Sequence, residues 1–242
     1  MVEYEWFTPE QKEVHRIQNL ILKEIYTIDD KLVFKGGTAL ELVYGLDRFS
    51  EDLDFNTNIE NIAEINTAIE ALDSRVMHVE NDWGAEIKRS RIMHVYVLDF
   101  FSELIGTRLA VKIDAVFDKC AIEPKRKTIS VEGSPLTMPV MDEAEILAEK
   151  VTAIMNEKRN QPRDLYDLKF LLTKNTPIDL HLIYLKSQSS VFGNTRRYSF
   201  DHFAERVNTL EEKWPVLKPY LRDLPRFKDV SGYVLGKFKA VQ

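Results

Sequence analysis

The chain reads as an α+β protein: a mixed β-sheet with flanking helices, followed by a helical C-terminal half. Three observations predict this. Between Arg75 and Val131 apolar and polar residues alternate at the two-residue period of strands. Beyond Pro139 apolar residues recur at the three- and four-residue spacing of helices. Gly133-Ser134-Pro135 and Pro139 break the chain where one texture gives way to the other. We therefore expect an α/β domain over residues 1–138 and a helical domain over 139–242.

The elements follow in order. Thr8-Pro9-Glu10-Gln11 carries an N-cap, a proline at the first helical position and a Gln placed to close a capping box. Val14, Ile17, Leu20, Ile21 and Ile25 then form a helical apolar stripe. Lys31 to Lys35 reads as a short strand, and Thr38 to Tyr44 as a short helix that Gly45 can end in a left-handed turn. Asp52 to Asn56 is a strand, and Asn58 caps a helix to about Leu72. Val76, His78 and Glu80 alternate, as do Ile92, His94, Tyr96 and Leu98. The run from Arg108 to Phe117 suits a central strand. In the second half, Asp142-Glu143-Ala144-Glu145 is another capping pattern, followed by Ile146, Leu147, Val151, Ile154 and Met155. Pro162 ends that helix, and another starts near Arg163 with Leu165, Leu168, Leu171 and Leu172. Two more are expected over 179–188 and 199–214.

Composition bounds the function classes. The 242 residues are 44% hydrophobic and 30% charged, which is globular and not disordered. Cys120 is the one cysteine, so no intrachain disulfide can form, which fits a reducing cytoplasm. The acidic start lacks the apolar core of a signal peptide, and no apolar run is long enough to span a membrane. A net charge of −6 argues against nonspecific coating of nucleic acid, though it leaves room for a local basic path to one RNA end. The stretch from Trp214 to Gln242 is locally basic, which suits either a solvated surface or a binding patch.

The chemistry concentrates in Val33-Phe34-Lys35-Gly36-Gly37-Thr38-Ala39-Leu40 and Arg48-Phe49-Ser50-Glu51-Asp52-Leu53-Asp54-Phe55. Gly36-Gly37 ends a strand where a helix begins. Glycines let a backbone approach a ligand closely, and the free N–H groups of such a turn suit a phosphate. The pattern is neither a P-loop nor a Rossmann fingerprint. Asp52 and Asp54 lie two apart on a strand, so they point the same way about 6–7 Å apart, and a divalent cation would relieve their repulsion. Asp114 interrupts the apolar run Val111-Lys112-Ile113-Asp114-Ala115-Val116-Phe117, with Lys112 on its face. Taken alone, that strand could equally be an edge strand with one wet face. Glu3/Glu5 and Glu143/Glu145 share the two-residue spacing with no hint of function. Lys150 sits inside an apolar helix, where it could reach a ligand or merely snorkel to solvent. Asp164 falls in the first turn of its helix, where a carboxylate suits the dipole. The histidines have no zinc spacing, and there is no Gly-x-Ser-x-Gly.

Gly36-Gly37-Thr38, thirteen residues, then Asp52-Leu53-Asp54, resembles the signature of the DNA polymerase β-like nucleotidyltransferase superfamily. The extended form, from Lys35 through Phe55 with Arg48 and Ser50, is most similar to the AbiEii/AbiGii toxin branch. Lys112-Ile113-Asp114 resembles that branch's second motif. Glu149-Lys150-x-x-Ala153 and Arg163-Asp164-x-x-Asp167-Leu168 resemble the third and fourth. Position 38 carries Thr where the broader signature often has Ser, and the hydroxyl is kept. Residues after 168 match no motif.

The resemblance implies a nucleotidyltransferase-like sheet and an NTP-dependent, Mg²⁺-dependent transferase. It implies the toxin half of a toxin–antitoxin or abortive-infection system, with a cognate antitoxin as partner and an RNA acceptor, the 3′ end of tRNA in some members. By position, Gly36, Gly37 and Thr38 would hold triphosphate. Asp52, Asp54 and Asp114 would hold Mg²⁺, with Asp114 also placed to take the proton of the attacking hydroxyl. Lys150 would contact phosphate, and Asp164 would be catalytic or positioning. The helical half would then complete the active-site cleft. Arg89, Arg91, Lys125, Arg126, Lys127, Lys158 and Arg159 are the cations expected to meet RNA. Two other readings stay open: a nucleotide-binding interaction protein without catalysis, and transfer onto a protein hydroxyl.

Overall fold

The computed structural model describes residues 5–28, 30–57, 67, 83–90, 93–189 and 197–241. The expected helix over 58–72, the alternation at 76–80 and the side chains of Arg89 and Arg91 lie outside the described residues. The chain divides into two compact units: Met1–Gly45, Phe49–Lys119 and Pro124–Val140 form the first, and Leu46–Arg48, Cys120–Glu123 and Met141–Gln242 the second.

The first unit opens with α1 (Pro9–Ile28). Thr8 and Gln11 exchange the expected capping-box bonds, Gln11 N–H to Thr8 Oγ1 and Thr8 N–H to Gln11 Oε1. Its buried face carries Val14, Ile17, Ile21, Leu22 and Ile25, while Leu20 is only half-buried. The stripe is thus turned slightly from the one expected.

Among the described residues, seven strands make one sheet: β1 (Val33–Lys35), β2 (Asp52–Thr57), β3 (Trp83–Arg89), β4 (Met93–Ser102), β5 (Thr107–Phe117), β6 (Lys125–Val131) and β7 (Ser134–Val140). Their spatial order is β3-β4-β5-β2-β1-β7-β6. The sheet is mixed as expected: β2 pairs β5 and β1 pairs β7 in parallel, and the other pairs are antiparallel. β5 lies between β4 and β2, so it is central and not an edge strand.

β6 falls within the stretch read as sheet, but β7 was not expected, because Pro135 and Pro139 looked like breakers. Glu132 (φ 49°) and Gly133 (φ 79°) form a two-residue hairpin turn with positive φ at both positions. β7 is a seven-residue strand that keeps both prolines.

α2 (Gly36–Leu42) begins two residues earlier than expected and follows β1 directly. The loop before β2 is held by buried polar groups. Ser50 N–H donates to Glu41 Oε2 at 2.8 Å, and Gln18 Nε2 donates to the Ser50 carbonyl at 3.0 Å. Glu41 is 1% exposed and Gln18 0%, so these bonds are shielded from water. That pinning fixes where β2 starts, and therefore where its acids stand.

The second unit holds α3 (Glu143–Met155), α4 (Pro162–Thr173), α5 (Leu180–Ser187), α6 (Phe200–Asn208), a 3₁₀ turn (Trp214–Tyr220) and α7 (Phe227–Lys239). α3 is buried from Ala144 to Met155, which makes it the central helix of the unit. Asp142 caps it through the Ala144 N–H at 2.9 Å. The helix expected over 199–214 stops at Asn208, and the prolines at 215 and 219 enforce the tighter turn that follows. α7 was not expected. Its basic residues masked an apolar face of Phe227, Val230, Val234 and Phe238. Glu145, dismissed on spacing, is fully buried: it accepts from the N–H groups of Ala121 and Ile122 and pairs with Lys186 Nζ at 2.6 Å. Among the described residues no helix is long and apolar enough to cross a membrane.

Candidate active site

The expected acids come together on one face of the sheet. β2 and β5 run parallel with Asp52 opposite Lys112 and Asp54 opposite Asp114. Residues opposite one another share a face, so these four side chains project on the same side. Leu53, Phe55, Ile113 and Ala115 occupy the other face and are 0% exposed, while Asp52, Asp54 and Asp114 are half-buried. The carboxylates therefore do not sit in the core, as the apolar run suggested. They stand on the wetter face of a strand pair whose other face is core.

Gly36 explains the glycine pair. Its φ is +76°, which glycine adopts without penalty. A Cβ at this position would fall 2.1 Å from Asp54 Oδ2 and 2.8 Å from Asp54 Cγ, so the missing side chain is what lets the carboxylate lie against the backbone. Lys35, just before it, is the register partner of Asp54 on β1. Thr38, 0% exposed, donates its hydroxyl hydrogen to the Asp52 carbonyl. The hydroxyl thus ties α2 to β2, and the turn and the acids form one assembly. Gly36→Ala is expected to force about 1–2 kcal/mol of left-handed backbone strain on the chain and to displace Asp54. Thermal unfolding should show a lower midpoint, and the nucleotide-dependent stabilisation should be lost with it. An unchanged midpoint would mean the turn relaxes.

Asp114 is only half satisfied. Lys112 Nζ reaches Asp114 Oδ2 at 2.5 Å, while Asp114 Oδ1 is shielded from solvent and takes no hydrogen bond from the described residues. A shielded carboxylate oxygen without a donor is costly unless a cation is supplied. Among the described residues no three His, Cys, Asp or Glu side chains are already gathered into a metal-binding cluster. The donor chemistry nevertheless suits a hard divalent ion: carboxylates from neighbouring strands, one of them carrying an orphaned oxygen.

The other two expected site residues lie in the second unit. Lys150 Nζ contacts Asp164 Oδ1 at 2.8 Å and Asp167 Oδ2 at 2.7 Å. Arg48 grips Asp167 with two parallel bonds, Nε to Oδ1 at 2.7 Å and Nη2 to Oδ2 at 2.8 Å. Arg159 Nε meets Asp164 Oδ2 at 3.0 Å. Arg48, Asp164 and Asp167 are at most 1% exposed, and Lys150 is 8% exposed. Burial would raise the Asp164 carboxyl, but Lys150 and Arg159 overcome it and hold the group well below the usual range. Burial likewise opposes Asp167, and Arg48 and Lys150 hold it low. Burial pushes the Lys150 ammonium down, while Asp164 and Asp167 outweigh that and leave it raised. All members stay charged near neutrality.

Asp164 is thus more than a helix-dipole residue, and Lys150 does not snorkel. The roles of Arg48 and Asp167 were not assigned from sequence, although both belong to the motifs. Each has a polar or charged neighbour in the chain, so composition alone did not single them out.

Of the cations expected to meet RNA, Lys125 and Lys127 share a face of β6. Arg126 faces the other way and pairs with Asp30 at 2.8 Å. Lys127 stands 5.6 Å from the Tyr44 ring centroid. Lys158 is exposed.

A glycine turn packed on an acid, with two further acids on the same sheet face, is the arrangement the family resemblance predicts. Family comparison gives the class. The family described as Nucleotidyl transferase AbiEii toxin, Type IV TA system, matches residues 21–222. The chain belongs to this family of nucleotidyltransferase toxins. Two solved structures share its fold. MenT4, a nucleotidyltransferase toxin from Mycobacterium tuberculosis, is 20% identical over 95% of this chain and 82% of that one, with a TM-score of 0.71. JHP933 from Helicobacter pylori is 20% identical over 97% of this chain and 93% of that one, with a TM-score of 0.64. No curated protein matches in sequence.

Proposed function

We propose that this toxin transfers a nucleoside monophosphate from an NTP to the 3′ end of an RNA, with tRNA as the favoured acceptor and Mg²⁺ as the metal. The observation that carries the reading is the placement of Asp52, Asp54 and Asp114 on one sheet face, with Gly36 packed against Asp54. Asp52, Asp54 and Asp114 are the residues that would hold the ion. When bound, it supplies positive charge against the negative charge that grows on the phosphate as pyrophosphate leaves. The turn of Gly36, Gly37 and Thr38 lies against those acids, and its backbone is the group we assign to the triphosphate. The orphaned Asp114 Oδ1 is the proton acceptor we assign to the attacking hydroxyl. A cytoplasmic location and a cognate antitoxin belong to the same reading.

The test is incubation with each labelled NTP and Mg²⁺, with total RNA and total protein supplied in parallel. Label on RNA, sensitive to removal of its 3′ hydroxyl, is expected. Label on protein alone would replace the acceptor and keep the chemistry. Label on neither, with NTP bound, would favour a binding protein without catalysis.

We also assign a phosphate contact to Lys150, with Asp164 and Asp167 as the carboxylates that position it. Lys150→Ala is expected to weaken NTP binding by about 10- to 100-fold, the worth of one hydrogen bond to a charged group. The measurement is calorimetric titration at a temperature where the variant is folded. A wild-type affinity would make Lys150 a structural member of the ion cluster only.

A further inference from the structure

The second unit contains a cavity of about 580 Å³ lined by Leu180, His181, Tyr184, Arg197 and Tyr198. None of these residues belongs to a family motif or to the charged cluster around Lys150. We propose that this cavity binds an unstacked nucleobase of the RNA acceptor. The inference rests on the RNA-acceptor reading and gives that acceptor a second point of contact.

The argument begins with what is exposed. Leu180 and Tyr184 lie one helical turn apart on α5, so they share a face. They are 37% and 42% exposed, and the adjacent Leu185 is 43% exposed. Large apolar side chains left open beside a cavity are a feature of binding surfaces. The volume falls in the range of small-molecule sites.

The lining has the parts that recognise a flat heteroaromatic ring. The Arg197 guanidinium carbon stands 5.9 Å from the centroid of the Tyr184 ring. A ring with a guanidinium over it offers a stacking partner and a cation for the adjoining phosphate. Tyr198 is the fixed element. Its ring lies 6.1 Å from Phe203 and 6.3 Å from Phe238, both 0% exposed. Its hydroxyl is shielded from solvent and has no hydrogen-bond partner among the described residues. Burial pushes that phenol up to about 12, so it remains an O–H donor throughout the physiological range.

A nucleobase answers each of these features. It has a π-face for Tyr184, acceptor atoms on its edge for the Tyr198 hydroxyl, and a phosphate for Arg197. An apolar side chain from a protein partner would cover Leu180 and Tyr184 but leave the Tyr198 hydroxyl unsatisfied. The mixed aromatic and cationic lining therefore favours RNA over an antitoxin.

The experiment uses the full chain and fluorescein-labelled RNA hexamers of A, C or U, read by fluorescence anisotropy at one fixed salt concentration. Tyr184→Ala is expected to weaken binding of the best hexamer by about 5- to 100-fold, the range for loss of one stacked base. Tyr198→Phe keeps the ring and removes only the hydroxyl. It should weaken binding by about 2- to 10-fold while the melting temperature stays at the wild-type value. Arg197→Ala should lower the salt dependence of binding by about one phosphate. Wild-type affinity in both tyrosine variants would overturn the assignment. If those variants also label RNA like the wild type in the NTP assay, the transferase reading survives and only the pocket is lost. If the wild-type protein labels no RNA and binds no hexamer, the acceptor reading fails and takes the pocket with it. Loss of antitoxin binding in Tyr184→Ala, with hexamer affinity unchanged, would assign the face to protein and overturn the proposal.

Discussion

Asp54→Asn is expected to lower nucleotide incorporation by at least about 10²–10³-fold, the usual loss for one preorganised electrostatic contact at a reacting phosphate or carbonyl. The substitution keeps the shape of the side chain, so the close approach to Gly36 survives. What it removes is one of three acids projecting from the same face of β2 and β5. Lys112 pairs with Asp114 on that face, and Lys35 stands opposite Asp54 in the register of β1 and β2. An Asn of the same shape should leave the ligand-free protein folded, and the loss should appear in the response to ligand. For the wild-type protein, an NTP with Mg²⁺ at about 100 times its Kd should stabilise by roughly 2.7 kcal/mol. That corresponds to roughly 5–10 °C for a chain of this size. In Asp54→Asn the Mg²⁺-dependent part should vanish. A thermal shift assay with and without chelator measures both effects. A full ligand shift in the variant would remove Asp54 from the metal site, and a large fall in the ligand-free midpoint would make it a structural residue.

The acids were legible because their signal is local. A carboxylate every second residue in an apolar run has few explanations, and the glycine turn lies nearby in sequence. The register that sets Asp54 opposite Asp114 was not legible, because it depends on a parallel pairing across some sixty residues. Gly36 could be read as a turn, but not as the surface against which Asp54 packs. β7 was missed because the turn at Glu132-Gly133 was read as an interruption and not as a hairpin. α7 was missed because its charged residues and its glycines, Gly232 and Gly236, obscure an apolar face set at helical spacing. The charged cluster of the second unit was half legible. Lys150 and Asp164 stood out, but Arg48 lies 119 residues from the carboxylate it grips. Only folding makes them neighbours.

That grip supports the largest stability effect expected in the protein. Asp167→Asn would leave Arg48 and Lys150 buried with Asp164 as the one remaining carboxylate of the cluster. Breaking one partner of a buried ion pair costs about 3–5 kcal/mol, because a buried charge loses a counter-charge that water does not replace. For this length of chain the midpoint should fall by roughly 6–20 °C. The double variant Arg48→Met/Asp167→Leu separates charge from packing. It removes both ends of the paired bonds, and its midpoint should recover much of the loss. The pH dependence follows from the depressed carboxyls. Asp164 and Asp167 titrate lower in the folded chain than the value near 3.9 expected when unfolded. Their contribution is therefore complete above that unfolded value and is lost as pH falls toward the folded one. Unfolding followed from pH 7 to pH 3 should show the gap between wild type and Asp167→Asn holding constant down to about pH 4 and then narrowing. A gap that stays constant through pH 3, or a double variant no better than the single one, would mean that Asp167 stabilises the fold by shape and not by charge.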